Sequence, residues 1–124
     1  MSRSRKFFSA TVAIPANTAI SLLGLMQLAP IYWGFEDDGA TPSLDSIIGS
    51  EASITPDGDT VYVGGDENVR GAGAVSPLYT GVPVVDGQNY SLQDFGGGLG
   101  LIDPNTIWLY CLAGTDASVV FQSR

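Results

Sequence analysis

Apolar and polar residues alternate along most of this chain in short runs, each closed by Gly, Pro, Asn or Asp. From Phe8 to Ile14 one face carries Phe8, Ala10, Val12 and Ile14 and the other Ser9, Thr11 and Ala13, the period of a half-buried strand. Pro15-Ala16-Asn17-Thr18 then turns the chain. Further strands are predicted over 47–54, 60–63, 75–79, 82–85, 90–92, 106–112 and 118–122. Thr55-Pro56-Asp57-Gly58-Asp59 reads as a turn, because Pro fixes φ and Gly allows a positive one. Asp86-Gly87 is a hairpin-type signal, Asp103-Pro104-Asn105 a turn, and Gly114-Thr115-Asp116 separates the last two strands. The near-continuous apolar run Ile107 to Leu112 predicts a central strand buried on both faces, with Trp108 its largest buried side chain.

One segment breaks this rhythm. Across Ser21 to Ala29, Leu22, Leu25, Met26 and Ala29 recur at helical spacing, with Thr18 or Ser21 able to cap the start and Pro30 to end it. Short strands at this spacing with one short helix predict an all-β fold, a single-domain β-sandwich of jelly-roll-like form. The predicted division is a basic N-terminal arm over 1–6 and the β-sandwich domain over 7–124.

Charge sharpens that division. Arg3, Arg5 and Lys6 are three of only five basic residues, against thirteen acidic ones and a net charge of −8. An acidic body with a short basic arm argues against nucleic-acid binding, which needs a basic stripe to neutralise phosphates. Arg3 to Lys6 followed by Phe7 to Ile14 looks like the start of a signal peptide, but Pro15, Asn17 and Thr18 interrupt the apolar stretch too early. No apolar run nears the roughly 18 residues of a membrane span, so no membrane partner is expected.

The chemistry available is narrow. There is no histidine, which removes Ser-His and Cys-His catalysis and His-bearing zinc sites. The single cysteine, Cys111, lies in an apolar run and reads as a small buried hydrophobe. Asp37-Asp38, Asp57-Gly58-Asp59 and Asp66-Glu67-Asn68 could offer oxygen ligands to Ca²⁺ or a glycosidase acid pair. No segment has the Ca²⁺-loop pattern, and an Asp in a turn is explained by bonding the backbone two residues on. Gly71-Ala72-Gly73 and Gly96 to Gly100 lack the lysine and the strand–helix context of a phosphate loop. The sequence therefore predicts no enzyme, no metal and no cofactor. Tyr32, Trp33 and Phe35 are candidates for core, for an interface, or for a sugar platform.

Three stretches carry a resemblance. They are Ala10 to Leu23, Asp59 to Val69, and Leu101 to Tyr110 with Ala117 to Phe121. In strand spacing, turn composition, acidity and size the chain resembles the small accessory virion proteins, head decoration or cement proteins, of tailed bacteriophages. The resemblance implies a jelly-roll-like sandwich seated on the major capsid protein lattice as a homo-oligomer, dimer or trimer. It further implies a virion location at the capsid surface after synthesis in the host cytoplasm. On this reading Arg3, Arg5 and Lys6 pair with shell carboxylates, Phe7 and Phe8 anchor the root of the arm, and Tyr32 and Trp33 add contact surface. The alternative is a tail or fibre-associated module that binds a receptor or glycan through Tyr32, Trp33 and Phe35.

Overall fold

The structure, a computed structural model, describes residues 7–28, 49–93 and 102–123. These form two four-stranded antiparallel sheets around one core. The first runs in the order β1 (Phe7–Ile14), β10 (Thr115–Ser123), β3 (Gly49–Asp57), β8 (Tyr90–Gln93). The second runs β2 (Ile20–Ser21), β9 (Trp108–Tyr110), β4 (Val61–Gly64), β7 (Val82–Val84). Two short parallel strands, β5 (Val69–Arg70) and β6 (Tyr79–Thr80), lie outside both sheets.

Pairing is nested. β1 pairs with β10, β2 with β9, β3 with β8 and β4 with β7, and the β10–β3 and β9–β4 ladders zip the nest into sheets. Alternation does the rest. Val12 and Ile14 of β1, Ala52 and Ile54 of β3, and Ala117, Val119 and Phe121 of β10 point inward from the first sheet. Val61, Val63, Val84 and Leu109 meet them from the second. Helix α1 (Leu22–Leu28) closes one end as its spacing predicts, with Leu22, Leu25 and Met26 fully buried. Ser21 is its cap: its Oγ accepts the Gly24 N–H at 3.0 Å, filling one of the helix's orphan donors. Ala29 and Pro30 lie outside the described residues, as does the glycine run 96–100.

Several expectations need correction. The strand predicted over 47–54 is described from Gly49 and runs on to Asp57, so Pro56 lies inside β3 and is buried. It is tolerated because the β3–β8 ladder ends at Ile54↔Tyr90. The Pro56 carbonyl accepts from Gly87 on that side, and the missing N–H faces the same way, beyond the ladder.

Val75 to Leu78 is a turn rather than a strand, and only Tyr79 of that run is extended, as the first residue of β6. The Leu78 N–H donates to the Val75 carbonyl at 2.9 Å, and Val75 is 76% exposed. Asp86-Gly87 is a turn, but no hairpin, since β7 and β8 belong to different sheets. Gly87, at φ +80°, lets the chain cross between them.

The strand predicted over 106–112 shortens to Trp108–Tyr110, with Leu112 69% exposed, and the last strand begins at Thr115, so Thr115 and Asp116 pair within β10 instead of separating it from β9. Ile107, Leu109 and Cys111 take the core side, which turns Trp108 to the other face, half-buried. Its Nε1–H donates to the Asn105 carbonyl at 3.1 Å. The largest fully buried side chain is Phe121.

Candidate contact surface

The acidic turns are occupied with local work. Asp66 Oδ1 accepts the Asn68 N–H and Asp103 Oδ1 the Asn105 N–H, each at 2.9 Å and each two residues on. Asp86 Oδ1 accepts the Gly58 N–H at 2.8 Å and so ties the β7–β8 turn to the end of β3. Among the described residues no three His, Cys, Asp or Glu side chains gather into a group able to hold a metal ion. Asp37 and Asp38 lie outside the described residues.

Cys111 is fully buried. Burial pushes its thiol pKa up, the nearby Asp59 charge adds to this, and backbone hydrogen bonds at Ala113 and Gly114 only partly offset the rise. A thiol held neutral and shielded is a poor nucleophile. Iodoacetamide should leave the native protein unmodified by mass spectrometry and add one carbamidomethyl group after denaturation in urea. Labelling of the native protein at the denatured rate would mean that the site opens readily. Since the folded state holds the thiol proton more tightly, this group's contribution to stability is lost as pH rises through and above the ordinary thiol range.

The outer face of the second sheet is covered by β5 and β6. Arg70 sits over the Tyr110 ring, 5.4 Å from its centroid, and its Nη1 donates to the Glu67 and Val69 carbonyls at 2.8 and 2.7 Å. The Tyr110 hydroxyl donates to Asn17 Oδ1 at 2.6 Å, fixing the β1–β2 turn where Asn17 takes a positive φ of 51°. Tyr79 is a second pin, its hydroxyl accepting from the Gly65 and Asp66 N–H groups at 2.9 and 3.1 Å. The polar groups that looked free for chemistry in this layer hold the chain to itself.

Of the residues the sequence nominates for contact, Arg3, Arg5, Lys6, Tyr32, Trp33 and Phe35 lie outside the described residues. Phe7 and Phe8 open β1, their backbones paired with Gln122 and Phe121. The arm is thereby rooted at one end of an edge strand.

That edge is unlike the other three. β2 has two residues, β8 four, and β7 three with a proline at its centre. Pro83 pairs with Tyr62 and has no N–H to offer, which blunts the β7 edge. β1 runs for eight residues in unbroken register with β10, with no proline, no bulge and no charge. Positions 7–35 carry no charged side chain at all. Its outward side chains, Ser9, Thr11 and Ala13, are small and exposed.

At the Ile14 end of this sheet the character reverses. Asp116 on β10 stands directly opposite Asp57 on β3, and both are exposed. Asp59, whose N–H donates to Thr115 Oγ1 at 3.2 Å, and Asp86 complete an acidic corner. Like charges directly opposed on a sheet are mildly unfavourable.

Comparison with family models, with curated proteins and with solved structures gives no match.

Proposed function

We propose that the protein is a structural virion protein, a capsid decoration or cement protein that binds the major capsid protein lattice of a tailed phage. The nested strand order carries this reading. Eight strands paired first to last and split four and four support a jelly roll, an architecture used by viral capsid and lectin domains and by cupins. The step from fold to role is an analogy. The chain's other features favour the capsid branch. Cupin-type metal chemistry has no histidine to use, and several of the described turn carboxylates accept backbone N–H groups. A small acidic sandwich with a neutral edge and a basic arm suits repetitive contact, where many weak copies add through avidity. The glycan-binding alternative rests on Tyr32, Trp33 and Phe35, outside the described residues, and no observation favours it.

The test is saturation of purified shells. Shells stripped of accessory proteins should take up the protein to a fixed copy number per capsomer, visible as added density by electron microscopy. Absence of uptake would overturn the proposal. So would tight binding of the isolated protein to a glycan panel that is lost in Trp33→Ala.

A further inference from the structure

We propose that residues 65–81 form a flap on the second sheet that opens and closes as one unit while the sandwich beneath stays folded. Hydrogen bonding carries the inference. Tyr79 and Gly81 donate their N–H groups to the Asn68 and Arg70 carbonyls, and Val69 donates to the Asp66 carbonyl. The Gly65 and Asp66 N–H groups go to the Tyr79 hydroxyl and the Asn68 N–H to Asp66 Oδ1. Arg70 Nη1 donates to the Glu67 and Val69 carbonyls, and Thr80 Oγ1 to the Gly71 carbonyl. Each of these partners lies within 65–81. None of the bonds runs to either sheet, so lifting the segment away breaks none of them.

What holds it down is packing at three points. Val69 is fully buried yet lies outside the central core cluster. It fills the space over Gly64 and Gly81, where an added Cβ would stand 2.7 and 2.5 Å from its Cγ2. Arg70 covers the Tyr110 ring, and Gly71 lies against Tyr62, where a Cβ would stand 3.2 Å from the ring. Tyr62 and Tyr110 oppose each other in register on the outer face of the second sheet, while Val61, Val63 and Leu109 fill the core from its inner face. Opening therefore uncovers two tyrosines and leaves the core residues where they are.

The two ends make a hinge. The segment leaves β4 after Gly64 and enters β7 at Val82, and Val63 pairs with Val82. Both attachments thus sit side by side on adjacent strands, with Gly65 at one and Gly81 at the other to take up the change in φ and ψ. A two-residue parallel ladder has no stability of its own away from the sheet. Docking and ordering of the flap are then a single event. The second sheet has a closed outer face and an open, aromatic one. This inference concerns the isolated chain and stands apart from the role on the shell.

Val69→Cys reads the opening. A thiol at that position is shielded while the flap is down, and the buried Cys111 is an internal reference for opening of the sandwich. With iodoacetamide in native buffer and peptide mass spectrometry, the introduced thiol should be labelled about tenfold faster than Cys111, or more. Its rate should depend only weakly on urea, since opening exposes little surface. Arg70→Ala in the same background removes the cation over Tyr110. It should raise labelling at position 69 about two- to fivefold and leave Cys111 unchanged. Hydrogen exchange on the unaltered protein is the second measurement. The Gly65, Asp66, Tyr79 and Gly81 amides should share one opening equilibrium and exchange faster than the amides of β10. Equal labelling of the two thiols at every urea concentration, a rise at Cys111 matching that at position 69 in Arg70→Ala, or flap amides as slow as those of β10 would each overturn the proposal.

Discussion

Phe121→Ala is expected to yield protein that is largely unfolded or insoluble. Phe121 is the largest fully buried side chain and lies on β10, a central strand of the first sheet held between β1 and β3. Its ring packs in the same core cluster as Leu22, Met26, Ile54 and Leu109 and so joins both sheets and the helix. Removing such a ring costs about 3–5 kcal/mol, from lost transfer energy plus the cavity left behind. A domain of this size has a total stability of only about 5–15 kcal/mol. Among the described residues there is no disulfide or metal cluster to offset the loss. Urea denaturation followed by far-UV circular dichroism checks this, and Phe121→Leu, which refills most of the volume, should recover much of the midpoint. Trp108→Ala should unfold at distinctly higher urea than Phe121→Ala, because the indole is only half-buried. The reverse order would put the centre of the core at the wrong strand.

That comparison shows what could be read from the sequence. Alternation through Ala10 to Ile14, turn chemistry at Asp103-Pro104 and the helical spacing of Leu22, Leu25 and Met26 are local signals, and each is realised locally. Trp108 and Tyr110 both face away from Ile107, Leu109 and Cys111, yet Tyr110 is buried beneath Arg70 while Trp108 is only half-buried. How far that second face is covered depends on β5, a separate stretch of chain, and the apolar run itself carries no sign of it. Pairing partners are a different matter. An Asp-Gly turn between two short strands looks the same whether the strands pair or separate into different sheets. For the same reason the arm is legible as a charge pattern, whereas its attachment to an open edge is not. Which strand is an edge depends on β10 and β3, which lie far along the chain from β1.

Gly81→Ala is expected to destabilise the fold by about 1–3 kcal/mol, as overpacked sites do, and by far more than Gly65→Ala. Gly81 is buried between β6 and β7, and its N–H donates to the Arg70 carbonyl at 3.0 Å. A Cβ added there would lie 2.5 Å from Val69 Cγ2 and 2.7 Å from the Val63 carbonyl oxygen. The first contact is a side chain, but Val69 is itself fully buried and has little room to move. The second is backbone within the β4 strand, whose partners β9 and β7 hold it on both sides. The substitution must therefore push the β5–β6 layer off the second sheet and strain the Arg70–Tyr110 contact that this layer carries. At Gly65 a Cβ would meet nothing within 4 Å, so Gly65→Ala should stay within about 0.5 kcal/mol of wild type, as an ordinary surface change does. Val69→Ala added to Gly81→Ala removes the methyl group but leaves the carbonyl in the way, so the double variant should gain nothing over the single one. Urea midpoints for the four proteins decide the matter. Equal midpoints for Gly81→Ala and Gly65→Ala would mean that β5 and β6 do not press on Val63, and the outer layer would have to sit farther from the sheet.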